Sequence, residues 1–121
     1  MAGFPRGRRV RRDAEIRAIV GSGRRLEGAT LRVHVRLEPD AGPARATVVV
    51  PRFGRTAVER NRLRRRLREI VRVHLLDAPE LAGAALVVKA RAGAYGCRFA
   101  ELRAELLDLA GRLSRPRAGQ R

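Results

Sequence analysis

The segment between residues 56 and 79 constrains the fold of this chain more than any other part of it. Thr56 and Glu59 form a Thr-x-x-Glu capping box, which predicts a helix from about Ala57. Asp77 to Pro79 predict its end near Leu76. At about 100° per residue, one face of this helix is an apolar stripe suited to burial. Its members are Leu63, Leu67, Ile70, Val71 and His74.

The opposite face of the same helix is strongly cationic. Arginines three and four residues apart repel one another and cost a helix about 0.2–0.5 kcal/mol per pair. Glu69 can relieve Arg65 and Arg66, but it is one anion among many cations. The pattern therefore favours an anionic partner over a merely solvated basic face. The residues on this face are Asn61, Arg62, Arg64, Arg65, Arg68 and Arg72.

The charge of the whole chain supports the same interpretation. Lys and Arg number 28 against 12 Asp and Glu, which gives a net charge of +16. Such a chain repels itself unless a polyanion or salt relieves the repulsion. Nucleic acid is the first candidate partner and an anionic membrane the second. The 121 residues fit one domain, residues 1–121, with a basic arm at 1–12 and a basic tail at 115–121.

The N-terminal half predicts one helix and two or three strands. Asp13 is expected to N-cap a short helix, Ala14 to Val20, which glycines end. Thr30 to Leu37 alternates apolar and polar residues, as a half-buried strand does. Arg45 to Val50 reads as a second strand that forms a hairpin with the first. A further strand at Arg24 to Glu27 has only a weak signal.

The C-terminal half predicts a strand and a helix. Ala84 to Ala90 is apolar without alternation, which is typical of a central strand. From Phe99 apolar residues recur at helical spacing, so a last helix is expected to end near Ser114. The order is α-β-β-(β)-α-β-α. It predicts an α+β fold, a single-domain α/β sandwich in which helices pack on a small mixed sheet.

Enzymatic chemistry by the chain alone is not indicated. His34 is expected on the polar face of a strand and His74 on the apolar stripe, so they form no joint site. There is no glycine-rich phosphate loop, Cys-His metal spacing or Ser-His-Asp set in the sequence. Cys97 is alone, which predicts a buried thiol and a cytoplasmic protein. The first twelve residues lack the apolar region of a signal peptide, and no apolar stretch is long enough to span a membrane.

The central run, Arg-Asn-Arg-x-Arg-Arg-x-x-Arg-Glu over residues 60–69, resembles the signature of the bacterial ribonuclease P protein family. That signature usually reads Arg-Asn-Arg-x-Lys-Arg-x-x-Arg-Glu. The basic arm, the first helix followed by glycine, the strand before the motif, the strand Leu86 to Ala90 and the last helix stand in the family's order. The resemblance covers essentially the whole chain.

The resemblance implies a fold and a function. It implies a left-handed β-α-β crossover through the motif helix. It also implies a protein subunit that assists the 5′ maturation of precursor tRNA by a catalytic RNA, one protein per RNA. Magnesium ions, bound mainly by the RNA, would do the chemistry, and the protein would bind no cofactor tightly and no membrane. The residues expected to contact that RNA are Arg60, Asn61, Arg62, Arg64, Arg65, Arg68 and Arg72.

A second site is implied between the first helix and the sheet, where the family binds the single-stranded 5′ leader of precursor tRNA. Here the chain departs from the family, because Pro51-Arg52-Phe53 stands where two lysines are common. Ile16, Ile19 and Val20 also stand at or near the places where the first helix of the family often has phenylalanines. Phe53 is expected in the core, with base stacking as the alternative. The leader-binding candidates are Ile16, Ile19, Arg32, Arg36, Arg52 and Phe53.

Three alternatives share the charge of the chain. A ribosomal or other structural RNA-binding protein shares the fold class as well. A double-stranded DNA reader needs side chains that contact base edges, whereas crowded arginines suit phosphates. A membrane-surface protein needs Trp or Phe on the apolar face of its basic helix, and the stripe of this helix has neither.

Overall fold

The computed structural model describes residues 7–10, 12–38 and 42–113. The tail predicted at 115–121, residues 1–6 and 11 of the arm, and the predicted helix end at Ser114 lie outside these ranges. Short non-α helical turns lie at Val71–Leu75, Pro79–Leu81 and Ala92–Gly96. The main elements are α1 (Asp13–Ser22), β1 (Arg24–Glu27), β2 (Leu31–Leu37), β3 (Arg45–Val49), α2 (Ala57–Ile70), β4 (Ala84–Ala90) and α3 (Phe99–Leu113).

The four strands form one mixed sheet in the order β1-β2-β4-β3. Strand β2 pairs antiparallel with both β1 and β4, while β3 pairs parallel with β4. The weakly signalled strand β1 is therefore confirmed. The predicted hairpin between β2 and β3 is wrong, because β4 lies between them. A strand that is apolar on both faces is most stable at the centre of a sheet, and β4 takes that place between β2 and β3. The local sequence patterns of β2 and β3 do not show this.

Strand β4 is central, as its unbroken apolar sequence predicted. All its residues except Lys89 are buried. On one face, Leu86 and Val88 join the main core under α2 and α3. On the other, Ala85 and Val87 form a smaller core with Ile19 of α1. The sheet is thus covered by two helices on one side and by α1 on the other, an α+β sandwich that confirms the predicted fold class.

Helix α2 connects the parallel strands β3 and β4 and begins with the predicted capping box. The backbone N–H of Glu59 donates to Thr56 Oγ1 at 3.1 Å, and the N–H of Thr56 donates to Glu59 Oε1 at 3.0 Å. Leu63, Leu67 and Ile70 are buried, as the stripe predicted. The capping residues therefore fix where the helix starts, and the stripe fixes which face turns outward.

A π-helical stretch at Val71–Leu75 corrects the prediction for His74. The N–H of Leu76 bonds to the carbonyl of Val71 at 3.0 Å, which is the i to i−5 pattern of a π turn. Such a turn holds one extra residue, so the buried face passes from Val71 to Leu75. His74 is consequently exposed rather than part of the apolar stripe.

Helix α1 begins without the predicted Asp13 cap. Arg12 occupies the N-cap position and makes no side-chain capping bond. Asp13 lies instead in the first turn, where its negative charge favours the helix dipole. The helix ends at Gly23, whose N–H bonds to the carbonyl of Ile19 at 2.9 Å.

Helix α3 is confirmed over its described length and fastens the turn between β1 and β2. The carboxylate of Glu105 accepts three hydrogen bonds from the start of β2. The donors are Thr30 N–H at 2.9 Å, Thr30 Oγ1 at 2.6 Å and Leu31 N–H at 2.8 Å. This contact holds the β1–β2 edge of the sheet against α3.

Among the helices of the described ranges, none combines the length and the apolar character that a membrane crossing requires.

Candidate RNA-binding surfaces

The outer side of α2 is the first candidate surface. Asn61, Arg62 and Arg65 are exposed, and Arg60, Arg64, Arg68 and Arg72 are half-buried. Arg64 Nη1 donates to Asn61 Oδ1 at 2.7 Å, which orients both side chains. We call these seven residues the α2 surface.

Glu69 relieves a different arginine from the ones predicted. Its carboxylate pairs with Arg72 Nη2 at 2.7 Å, not with Arg65 or Arg66. Arg72 therefore contributes less net charge to the α2 surface than the sequence suggested. Among the described residues, the arginines of this surface from Arg60 to Arg68 have no carboxylate within ion-pair distance.

The charged form of Arg68 is disfavoured in the free protein by burial and by neighbouring positive charges. Burial lowers the pKa of its guanidinium, and the nearby charges of Arg9 and Arg64 lower it further. Arg9 belongs to the N-terminal arm and was not among the predicted site residues. The arm runs alongside the edge of β3, where the N–H of Val10 donates to the carbonyl of Ala46 at 3.0 Å.

The second candidate surface is the sheet face on which α1 packs. Ile19 lies in its small core with Val10, Ala85 and Val87 and has no exposed area. The prediction that Ile19 touches a ligand is therefore wrong, because the side chain is entirely enclosed by protein. Ile16 is half-buried at the margin of the same core.

One end of this sheet face is closed by ion pairs between α1 and the sheet. Arg45 Nη2 lies 2.6 Å from Glu15 Oε2 and 2.9 Å from Glu38 Oε1. Arg36 Nη2 lies 2.8 Å from Glu38 Oε2. Hydrogen bonds from Arg45 and then Arg36 lower the pKa of Glu38, and the bond to Glu15 chiefly raises that of Arg45. Arg36, a predicted leader contact, thus already has carboxylate partners.

The other end of the face, which we call the open end, carries excess positive charge. Arg32 and Lys89 are directly opposite each other on β2 and β4. Glu27 lies 3.4 Å from Arg32, 3.4 Å from Arg25 and 3.7 Å from Arg91, so one carboxylate is shared by three arginines. Lys89 was not among the predicted site residues, although a single polar residue within an apolar strand was a signal for it.

His34 lies on this face but is buried, which corrects its assignment to an exposed polar face. Its exposed fraction is 3%. Within the described residues neither ring nitrogen has a hydrogen-bond partner. Burial lowers the pKa of His34, and the charges of Arg32, Lys89 and Arg25 lower it further. The ring is therefore held neutral beneath α1.

This burial predicts that the protein loses stability between pH 7.5 and 5.5. In the unfolded chain His34 titrates near pH 6.5. Its folded pKa is lower, so below about pH 7 the unfolded chain binds more protons and is favoured. The loss starts as the pH falls through the unfolded pKa and is complete below the folded one. Urea unfolding at both pH values would measure it.

The matched variants for this measurement are His34→Gln, which removes the buried imidazole, and His74→Gln, which removes an exposed imidazole. We expect the acid loss to shrink in the first variant and to persist in the second. Equal acid losses in the wild type and His34→Gln would contradict the assignment.

The loop from residue 51 to 55 presents an aromatic side chain to solvent. Phe53 is 51% exposed, so the expectation that it lies in the core is wrong. Its φ of 46° is a left-handed conformation that is strained for a bulky residue. Tyr95 contacts both ends of this loop. Its hydroxyl donates to the carbonyl of Pro51 at 2.9 Å, and the centre of its ring lies 4.9 Å from the Arg55 guanidinium. Arg52 is exposed beside Phe53.

Acidic and thiol groups are dispersed over the described part of the chain. No three His, Cys, Asp or Glu side chains there are close enough together to hold a metal ion. Cys97 is a free, half-buried thiol, whereas the sequence predicted a buried one. The described residues thus hold arginine-rich surfaces rather than a cluster of acids and bases.

The structure is that of a small, basic RNA-binding protein. It has a mixed four-stranded sheet, an arginine-rich helix between the two parallel strands, and a cationic sheet face. Comparison with known proteins makes this specific. Residues 4–114 match the family model described as Ribonuclease P. The chain belongs to the ribonuclease P protein family.

Its relatives cover nearly the full chain. The ribonuclease P protein component of Acidothermus cellulolyticus is 38% identical over 118 residues, 97% of each chain. That of Nocardioides sp. is 41% identical over 100 residues, which are 81% of this chain and 84% of the relative. The solved ribonuclease P protein of Thermotoga maritima is 29% identical, with a TM-score of 0.75 over 86% of this chain and 96% of that one.

A solved ribonuclease P protein of Staphylococcus aureus is 20% identical, with a TM-score of 0.77 over 88% of this chain and 94% of that one, and it supports the fold. The full-length relatives decide against the ribosomal, DNA-reading and membrane-surface alternatives. The chain is a protein subunit of the ribonuclease P ribonucleoprotein, the endoribonuclease of tRNA 5′ maturation. Its partner is therefore an RNA.

Proposed function

We propose that the α2 surface binds the catalytic RNA and that the open end of the sheet face, with the loop at 51–55, binds the 5′ leader of precursor tRNA. The protein then holds the substrate next to an RNA active site. One protein serves one RNA in the cytoplasm. Magnesium ions, held mainly by the RNA, supply the hydrolytic chemistry, while the side chains of this chain bind and orient.

The α2 surface suits a folded RNA because its cations are presented by a rigid helix. The capping box fixes the start of the helix and the buried leucines fix its rotation. Guanidinium groups bind phosphate oxygens in a bidentate manner, so a helix face of arginines tracks a phosphate backbone. In the free protein these charges repel one another, and binding an anion relieves that repulsion.

The observation that carries the leader assignment is the pairing of Arg32 with Lys89 across neighbouring strands. Two cations directly opposite each other on a sheet destabilise the free protein. The only carboxylate that the described residues place within ion-pair distance of Arg32 belongs to Glu27, which is shared with Arg25 and Arg91. A phosphodiester of a single strand lying across the open end would offset this excess charge.

Phe53 adds an exposed flat apolar surface in the loop that follows β3, whose residue Val49 lies opposite Lys89 in the sheet. Stacking of a base on an aromatic ring contributes about 1–3 kcal/mol per base and tolerates any base. Phe53 would therefore replace in part the aromatic contacts that Ile16 cannot make. Backbone strain at an exposed aromatic residue is consistent with a binding role, because strain persists where function selects it.

Precursor tRNAs of different leader length test the leader assignment. In the reconstituted holoenzyme, an Arg32→Ala, Lys89→Ala double variant should bind substrate with a long leader about tenfold or more weakly, because two charge-assisted contacts are lost. Binding of substrate with a one-nucleotide leader should change little. Arg103→Ala with Arg112→Ala on α3 removes the same charge and is the control. Equal losses for both substrates would contradict the assignment.

A further inference from the structure

The N-terminal arm places an arginine against α2 that the family signature does not include. Residues 8–10 run parallel to the edge of β3, where Arg9 is the bridge partner of Ala46. Two backbone bonds make the bridge: Ala46 N–H to the Arg8 carbonyl at 2.9 Å and Val10 N–H to the Ala46 carbonyl at 3.0 Å. Arg8 anchors the arm, since its Nε donates to the Ala44 carbonyl at 2.7 Å.

Strand geometry fixes the face toward which Arg9 points. Val10 is buried in the small core beneath α1. Neighbouring side chains of a strand point to opposite faces, so Arg9 points to the face covered by α2. Its bridge partner Ala46 gives the same answer independently, because Ala46 lies in the main core on the α2 side.

Arg9 thus lies on the same side of the sheet as α2, which carries the half-buried Arg64 and Arg68. The charges of Arg9 and Arg64 both act on Arg68, as the lowered pKa of Arg68 reflects. Among the described residues none of the three has a carboxylate within ion-pair distance. Arg64 bonds to the neutral amide oxygen of Asn61. Three arginines from two separate chain segments therefore lie on one side of the sheet, and the described residues place no carboxylate within ion-pair distance of them.

We propose that Arg9, Arg64 and Arg68 form a clamp for one backbone phosphate of the catalytic RNA. The inference rests on the proposed role of the α2 surface and adds the arm to it. A phosphate held between the arm and the helix accepts hydrogen bonds from both sides. It also neutralises the repulsion that the free protein tolerates. The same chemistry would admit free inorganic phosphate at higher concentration.

The test variant is Arg9→Gln, which keeps the length and polarity of the side chain and removes its charge. Affinity for the catalytic RNA should fall about tenfold, and the slope of log affinity against log salt should decrease by less than the roughly 0.7–0.9 of one whole phosphate contact, because Arg64 and Arg68 still hold the shared phosphate. Arg9→Lys should recover part of the affinity, and Arg103→Gln on α3 should change it little. Unchanged affinity and slope in Arg9→Gln would overturn the clamp.

The thermal stability of the free protein separates a clamp from a structural role. Because Arg9 is repelled by Arg64 and Arg68, Arg9→Gln should raise the Tm at low salt. Inorganic phosphate should then raise the Tm of the wild type more than that of the variant. A Tm lowered by the substitution, or equal phosphate shifts, would contradict the clamp.

A double-mutant cycle of Arg9→Gln with Arg68→Ala shows whether both bind the same phosphate. If they do, the combined loss of affinity should be smaller than the product of the two single losses. A loss equal to that product would assign them to separate phosphates and overturn the clamp. A different result would show that the α2 surface does not bind the catalytic RNA at all: the Arg65→Ala, Arg68→Ala variant would then bind this RNA as tightly as the wild type.

Discussion

Replacing Arg65 and Arg68 together by alanine is expected to weaken binding of the catalytic RNA by about 100-fold. Each charge-assisted contact contributes on the order of 1.5 kcal/mol, close to tenfold in affinity. The salt dependence should fall at the same time, because fewer counterions are released. Filter binding at several salt concentrations measures both quantities.

The fold should survive this double substitution. Arg65 is exposed, and Arg68 lacks a carboxylate partner within the described ranges. Removal of either charge also relieves repulsion along α2. The Tm of the double variant is therefore expected to stay level or to rise. The control variant, Arg103→Ala with Arg112→Ala, should leave the affinity for RNA almost unchanged. A collapse of the Tm would mean that these arginines support the core, and the assignment of the helix faces would then be wrong.

Replacing Gly23 by alanine adds a single methyl group and is expected to lower the free energy of unfolding strongly. A Cβ at this position would overlap the backbone carbonyl oxygens of Val35 and Ile19. Backbone atoms cannot rotate away as a side chain can, so α1 must separate from β2. Overpacking of this kind costs about 1–3 kcal/mol or more, measurable by urea unfolding.

Gly21 offers a matched control two residues earlier in the same helix. A Cβ there has no neighbour within 4 Å. Gly21→Ala should therefore stabilise the protein by about 0.4–1 kcal/mol, because alanine restricts the unfolded chain and favours a helix. If Gly23→Ala were as stable as Gly21→Ala, the close approach of α1 to β2 described above would be contradicted.

The elements that the sequence predicted well are those whose signals are local. The Thr56–Glu59 box and the leucines that follow it define α2 because capping and helical periodicity act within a few residues. The apolar run of β4 predicted its central place for a similar reason, since a strand buried on both faces needs no alternation.

The features that the sequence did not reveal depend on contacts between distant segments or on small backbone shifts. The pairing of β2 with β4 joins residues 47 to 59 positions apart, which no pattern within either strand encodes. The π turn at Val71 moves the buried face by one residue, so His74 was misplaced. The position of Arg9 depends on an arm that pairs with the edge of β3.

The same distinction applies to the candidate site. The arginines of α2 could be predicted because they lie on one helix. Lys89, by contrast, becomes a site residue only through its register with Arg32. The burial of Ile19 depends on Val10 and Val87, which come from two other segments. Side chains that form a surface jointly from several strands are visible only once the sheet order is known.

The central claim is that the cations of this chain serve an RNA that performs the cleavage. Its most direct test adds the purified protein to a bacterial ribonuclease P RNA and precursor tRNA at low magnesium, where the RNA alone is slow. Cleavage at the mature 5′ end should rise strongly with the wild type and much less with the Arg65→Ala, Arg68→Ala variant. No stimulation by the wild type, or cleavage by the protein without the RNA, would contradict the account.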